Sequence, residues 1–369
     1  MGLHHSPRIV TSGLELTYDA GDRNSFRTTS IATNWQDYGS NQAHYTLLGP
    51  DSIYIKNTYA SWIGYYPAVV TSAGYYTVMF DHVADTASSI YLDNDGIVDN
   101  TYNTAINVTT TKQTFVKTLY VGTTGDIRHF IRRVSGGNIT VTNFKYFNAS
   151  TIYDITGNGY DGTLTNGASY ALNNGGVITF DGSNDYITVS GNGTNNTHAW
   201  TADGSVGSTL LCFEIWIKST DGSGQIISKP WNGNGRYNIQ IYPNAFTLLV
   251  GTGVSQGPDQ GNTVGFPTVI DGNWHQLVLW ATSTQMGYYL DGGSSSNVIN
   301  HGLTGGASDW GNSGLPLGLM SLYFYGESWS GNTGFSIVGD IAIFRKYSKV
   351  LSADEVLQNY NAQKARFGL

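Results

Sequence analysis

Short runs in which Tyr, Thr, Val and Ile alternate with polar residues recur along this chain, and Gly, Asn, Asp and Ser interrupt them at close intervals. That pattern describes strands joined by tight turns. The helical alternative lacks material, because only four glutamates, Glu15, Glu214, Glu327 and Glu355, occur in 369 residues. An all-β fold is therefore expected. Hydrophobic residues at 40% and aromatics at 13% are enough to fill cores, and charge at 12% is too low for a disordered chain. The length suits about two domains. A formal net charge of -8 leaves no basic footprint for nucleic acid. No apolar run approaches the roughly 18–20 residues of a membrane span, so no membrane insertion is expected. The polar start Met1-Gly2-Leu3-His4-His5-Ser6-Pro7-Arg8 does not read as a signal peptide, and the single cysteine, Cys212, forms no internal disulfide framework. These features suit folding in the cytosol.

Two turn-rich segments echo each other. Asn34-Trp35-Gln36-Asp37-Tyr38-Gly39-Ser40-Asn41 and Tyr153-Asp154-Ile155-Thr156-Gly157-Asn158-Gly159-Tyr160-Asp161-Gly162 both place an aromatic ahead of an Asp, then Gly and Asn. The echo reads as the scar of an insertion. The expected organisation is an N-terminal arm over 1–12, a discontinuous larger β-sandwich over 13–40 and 151–369, and an inserted smaller β-sandwich over 41–150. Within the insert, Gly74–Asp81, Ser89–Asp93, Gln113–Val121 and Asn138–Phe144 alternate as strands. Asp93-Asn94-Asp95-Gly96 fails as an EF-hand loop, because Tyr102 and Asn103 stand where its far carboxylate belongs. In the later part, Phe213, Ile215 and Ile217 share one strand face, and Cys212, Glu214, Trp216 and Lys218 share the other. One helix is expected at the C-terminus. Ser352 and Glu355 form a capping box, and Val356, Leu357 and Tyr360 form its apolar stripe.

These residues resemble the laminin-G-like, concanavalin-A-type lectin/glucanase jelly roll. The marks are Phe180-Asp181-Gly182-Ser183-Asn184-Asp185-Tyr186, Phe213-Glu214-Ile215-Trp216-Ile217-Lys218, and Asp271-Gly272-Asn273-Trp274-His275 followed by Tyr289-Leu290-Asp291-Gly292. Gly339-Asp340-Ile341-Ala342-Ile343-Phe344 with the C-terminal helix completes them. Gly2–Val10, Gly13–Ala20 and Asn359–Leu369 look like virion structural proteins of tailed phages, notably those of cyanobacteria. The insert looks like a carbohydrate-binding-module sandwich. The resemblance implies a non-enzymatic virion structural protein, a capsid decoration or fibre subunit. It would be made in the host cytoplasm, form a homo-oligomer and bind other capsid or tail proteins through an arm carrying His4, His5 and Arg8. The alternative is a lectin-like adsorption protein that recognises host surface glycans.

Glycoside hydrolysis needs two carboxylates about 5–10 Å apart. The strand that would carry them here holds Glu214 alone, so Glu214 reads as a solvated or hydrogen-bonded strand residue and no catalytic residue is assigned. Cys212 reads as inert packing and His275 as structural. The resemblance keeps one metal, calcium, with Asp340 on the closing strand and Asp181 near it as ligands; no other cofactor is expected. Sugar binding needs aromatic platforms beside amides and carboxylates. Trp231, Tyr237, Trp310 and Trp329 are the candidates, in loops 231–237 and 308–330.

Overall fold

In the computed structural model, the described residues are 8–22, 25, 35–37, 45–49, 51–57, 62–65, 74–95, 104–121, 128–189, 209–220, 226–229, 237–242, 244–250, 260–282, 284–293, 298–300, 322–324 and 337–369. They are all-β apart from one short C-terminal helix and single 3-10 turns. Every strand pairing is antiparallel, in four sheets. The first sheet runs β14 (Ser169–Ala171), β15 (Val177–Asp181), β26 (Val338–Tyr347), β17 (Thr209–Ser219), β22 (Trp274–Thr282), β23 (Gln285–Leu290) and β24 (Val298–Asn300), with β1 (Leu14–Asp19) also on β26. The second runs β12 (Thr151–Ile152), β13 (Gly162–Thr165), β16 (Tyr186–Val189), β25 (Leu322–Phe324), β18 (Ile227–Lys229), β19 (Tyr237–Tyr242), β20 (Ala245–Val250) and β21 (Gln260–Gly265). These two form the jelly-roll sandwich.

The smaller sandwich has a third sheet of β2 (Trp35–Asp37), β5 (Trp62–Tyr65), β10 (Arg128–Ser135), β7 (Ser88–Asp95) and β8 (Thr104–Val108). Its fourth sheet is β3 (Tyr45–Gly49), β4 (Ser52–Ile55), β11 (Ile139–Asn148), β6 (Gly74–Ala84) and β9 (Gln113–Val121). Alternation supplies its core. Ile90, Leu92, Ile106 and Ile131 from the third sheet pack with Ile53, Val78, Phe80 and Val141 from the fourth.

The chain divides into two compact units, Met1–Ser25 with Thr151–Leu369, and Phe26–Ser150. The exit and return are adjacent, since Tyr153 N–H donates to the Ser25 carbonyl at 2.8 Å. The division differs from the expected exit near residue 40. Trp35–Asp37 pairs with β5 inside the second unit, with Gln36 opposite Gly64. The echoed segments therefore do different jobs. In the second, the Asp154 carboxylate is 1% exposed and accepts from Thr17 N–H at 3.2 Å and Thr156 N–H at 3.0 Å, which ties the returning chain to β1.

The helix α1 (Ala353–Gln363) starts as expected: Glu355 N–H donates to Ser352 Oγ at 3.3 Å, and Ser352 N–H to Glu355 Oε2 at 3.0 Å. Its buried stripe differs. Leu357 is 45% exposed, whereas Val356 and Asn359 are fully buried. A step of 100° per residue swings Leu357 away from Val356, while Asn359, three residues on, stays on the same side. Tyr360 stacks on Trp216 with centroids 5.7 Å apart. Gly292, at φ +68°, lies against that ring; a Cβ there would come 2.8 Å from Tyr360 Cδ1. Among the described residues no helix is long and apolar enough to cross a membrane.

Candidate functional site

The strand parity read from the sequence holds on β17, but both of its faces are buried. Phe213, Ile215 and Ile217 are 0% exposed, and so are Cys212, Glu214 and Trp216 on the other face. That second face is covered by α1, by the 3-10 turn Lys364–Phe367 and by the segment around Val10. Cys212, Val278, Tyr347 and Val356 make one apolar cluster with Val10, and Trp216, Trp274 and Ile343 make another with Phe367.

Glu214 sits between these clusters, and its oxygens are fully engaged. Oε1 accepts from Gln276 Nε2 at 2.8 Å and Trp216 Nε1 at 3.3 Å, and Oε2 accepts from Asn359 Nδ2 at 2.8 Å and Tyr347 Oη at 3.2 Å. Arg345 Nη1 lies 3.1 Å from Oε1 as an ion pair, without the alignment of a hydrogen bond. Asn359 Oδ1 in turn accepts from Val10 N–H at 2.7 Å. Burial disfavours the Arg345 charge, but Glu214, then Tyr347 and Asp19, more than offset it and hold its pKa above the usual value. Burial first and Glu214 second keep the Tyr347 phenol protonated, and burial pushes the Cys212 thiol up to about 12. Glu214 is thus hydrogen-bonded rather than solvated, and it has no exposed oxygen to offer a substrate. The thiol is inert.

Sequence reasoning missed Arg345, Tyr347 and Asn359 as partners of Glu214. Two signals carried them: an arginine in the interior of a long strand, and an asparagine three residues after Val356 on an amphipathic helix. His275 bridges two turns, with Nδ1 2.8 Å from Asp291 Oδ2 and Nε2 3.1 Å from Asp271 Oδ1. The Asp291 bond, with Asp271 adding to it, outweighs burial and raises the His275 pKa. Bonds from the Asn273 side chain and backbone, then His275, hold Asp271 down at about 2.

Asp340 and Asp181 stand two register positions apart on β26 and β15, because Asp340 pairs with Thr179 and Asp181 with Val338. Asp340 Oδ1 accepts from Thr179 Oγ1 at 2.8 Å, and Asp181 Oδ1 accepts from Ser183 N–H at 2.7 Å in an Asx turn. Among the described residues no three His, Cys, Asp or Glu side chains gather as a metal would need. His4, His5, Trp231, Trp310 and Trp329 lie outside the described residues, and Tyr237 is described only in its backbone, at the start of β19. Arg8 is exposed, and its carbonyl accepts from Gln358 Nε2 at 2.6 Å. Val10, only 7% exposed, belongs to the core rather than to a loose arm.

No protein-family model matches this chain, and no curated protein matches it. Among solved structures, the binding domain of botulinum neurotoxin DC in complex with SialylT superposes with a TM-score of 0.42 at 14% identity, covering 58% of this chain and 49% of that one. The same domain in complex with rat synaptotagmin II gives a TM-score of 0.41, again at 14% identity and with 58% and 49% covered. The Ruminococcus gnavus sialidase CBM40 bound to α2,3-sialyllactose gives 0.34 at 14% identity, covering 49% of this chain and 94% of that one. The chain spans about half the length of the neurotoxin structures it matches. Superpositions this loose carry no argument about function.

Proposed function

We propose that this chain is a non-enzymatic β-sandwich protein that binds glycans at one end of its second sheet. The supporting observation is a convergence of strand ends. Ser228 on β18 pairs with Tyr323 on β25, so Lys229, where β18 ends, is level with Leu322, where β25 begins. Tyr237, the first residue of β19, lies at the same end, since Lys229 pairs with Ile239 two residues on. The segments that carry Trp231 and Trp310 therefore leave and enter the sheet at one end, beside Tyr237. Trp329 follows β25 from its other end. In the sequence Trp231 stands next to Asn232 and close to Asn234, and Trp310 follows Asp309, a mixture of flat apolar area and hydrogen-bonding groups of the kind that sugar rings require. The burial of Glu214 supports the non-enzymatic half of the reading.

A glycan array probed with the whole chain tests this. Trp231→Ala and Trp310→Ala are expected to weaken binding at least tenfold, and Trp329→Ala to leave it within twofold. Absence of binding, or binding indifferent to the first two changes, would overturn the reading. A virion structural role is a second reading, favoured by one observation: the terminal segments that resemble virion proteins meet in space. Val10 is bonded to Asn359, and Arg366 Nη1 pairs with Asp19 Oδ1 at 2.6 Å. Electron microscopy of labelled particles tests it; particles carrying no label would exclude it.

A further inference from the structure

A titratable ring sits inside the smaller sandwich. His82, on β6, is 4% exposed, and alternation puts it on the interior face with Val78, Phe80 and Ala84. The Phe80 ring meets its imidazole edge-on, with centroids 6.0 Å apart. Across the strands its neighbours are Val141 on β11, which is 0% exposed, and Gln113 on β9. His82 Nδ1 is buried and has no hydrogen-bond partner. In a neutral imidazole that nitrogen can stay a bare acceptor. Protonation makes it a donor with nothing to donate to and puts a charge among apolar side chains.

The surrounding charges do little to relieve that cost. On β6 itself, Asp81 points to the opposite face, where it accepts from Thr114 Oγ1 at 2.7 Å and Asn143 Nδ2 at 2.7 Å and pairs with Lys112 Nζ at 2.8 Å. Asp85, just past the end of β6, accepts from Asn138 Nδ2 at 2.6 Å. On β9 the residues sharing the interior face are Phe115 and Lys117, opposite Phe80 and Val78. Across the sandwich, β7 and β8 present Ile90, Leu92, Ile106 and Val108, and β10 presents Ile131 and Arg133. Arg133 is spent on the Gly136 and Asn57 carbonyls, at 2.7 and 2.6 Å. The interior charges are thus cations, and no carboxylate shares the interior face with His82 among these residues. Burial lowers the His82 pKa, and Asp81 opposes this only in part.

We propose that His82 is an acid-sensitive latch, whose protonation opens the second unit, Phe26–Ser150, in mildly acidic solution while the first unit stays closed. A base whose folded pKa lies below its unfolded value contributes its full stability above about pH 6.5 and loses it as pH falls through the folded value. His275, in the first unit, titrates in the opposite sense, because its carboxylate partners favour the charged ring. The carboxylate beside the latch responds only in stronger acid: burial would raise the Asp81 pKa, but the bonds from Lys112, Thr114 and Asn143 hold it below its ordinary value.

The test is amide hydrogen exchange of the full chain, read by mass spectrometry at about pH 7.5 and about pH 5, with rates corrected for the intrinsic effect of pH. One imidazole with an unfolded pKa of about 6.5 can shift an opening equilibrium by at most about thirtyfold over that interval. Peptides from β6 and β11 are expected to open about five- to thirtyfold more at the lower pH, and peptides from β17 and β26 less than about twofold more. His82→Leu should hold the change in β6 and β11 below about twofold; if it does not fold, His82→Gln reads the same latch, since it keeps a polar side chain that cannot titrate. His44 and His129 also belong to this unit, and both variants leave them in place. The proposal is overturned if the native chain shows no such rise, if β17 and β26 open to the same extent, or if the rise persists in a folded His82 variant.

Discussion

Strands β17 and β10 each lie inside a sheet between two paired neighbours, yet their polar residues have opposite fates. Both faces of β17 are buried, so Glu214 must find every partner inside the protein. On β10, Ile131 and Arg133 are buried on one face, whereas Arg132 on the other is half-buried and lies against the Tyr91 ring. What separates them is a cover. Helix α1 and the Val10 segment lie over β17. A buried carboxylate costs several kcal/mol unless it is paired and hydrogen-bonded, which is why Gln276, Tyr347, Asn359 and Arg345 converge on one side chain. The covered face of β17 is therefore structural.

Removing the cation under the cover should have the largest effect. Arg345→Met leaves the Glu214 charge buried without its counter-ion and is expected to cost about 3–5 kcal/mol in urea unfolding. The double variant Glu214→Leu/Arg345→Met should cost less than the two single changes added together. Additive losses would mean that the two residues are not coupled.

Deleting residues 1–12 sharpens the comparison by opening one edge of the cover. A polar arm that gains little from its own domain would leave stability unchanged. The structure instead places Val10 in the core and its N–H on Asn359. Loss of a buried valine and one buried hydrogen bond is expected to cost about 2–4 kcal/mol. An unchanged melting temperature would contradict the docking of that segment. A smaller effect is expected where the cover begins. Ser352→Ala removes the helix cap and should cost about 1 kcal/mol, read by thermal unfolding, with no loss if the capping box is unimportant.

The smallest effect is a pH dependence at His275. Its pKa is raised in the folded state, so its contribution is fully present below the ordinary value of 6.5 and fades as pH rises through the raised value. The melting temperature of the native chain should exceed that of His275→Gln more at about pH 5 than at about pH 9. A constant difference across that range would show that the bridge from Asp271 to Asp291 does not respond to protonation.

Much of this was legible in sequence, and the gaps share a cause. Alternation placed Cys212, Glu214 and Trp216 on one face, and the spacing Ser352–Glu355 marked the helix start, because both signals are local. Whether a face is covered is not local: Asn359 lies 145 residues from Glu214. The same limit displaced the insertion boundary. Trp35–Asp37 has the composition of a turn-rich connection, and its strand character comes from pairing with β5, which no short-range pattern records. Leu357 looked like a core residue by type, but it is the helix's angular phase that exposes it. Of the sugar-binding candidates, Tyr237 alone lies in a described strand, and its position at one end of the second sheet comes from the pairing of β19 with β18 and of β18 with β25.

Glu214→Gln tests the central claim most directly, because it keeps the shape of the side chain and removes its charge from beside Arg345. Urea unfolding of this variant, run alongside a polysaccharide hydrolysis panel on both proteins, reads the two roles together. The account predicts a loss of about 3 kcal/mol or more in stability, with no hydrolysis by either protein. A variant as stable as the native chain, with polysaccharide turnover present in the native protein and lost in the variant, would contradict it.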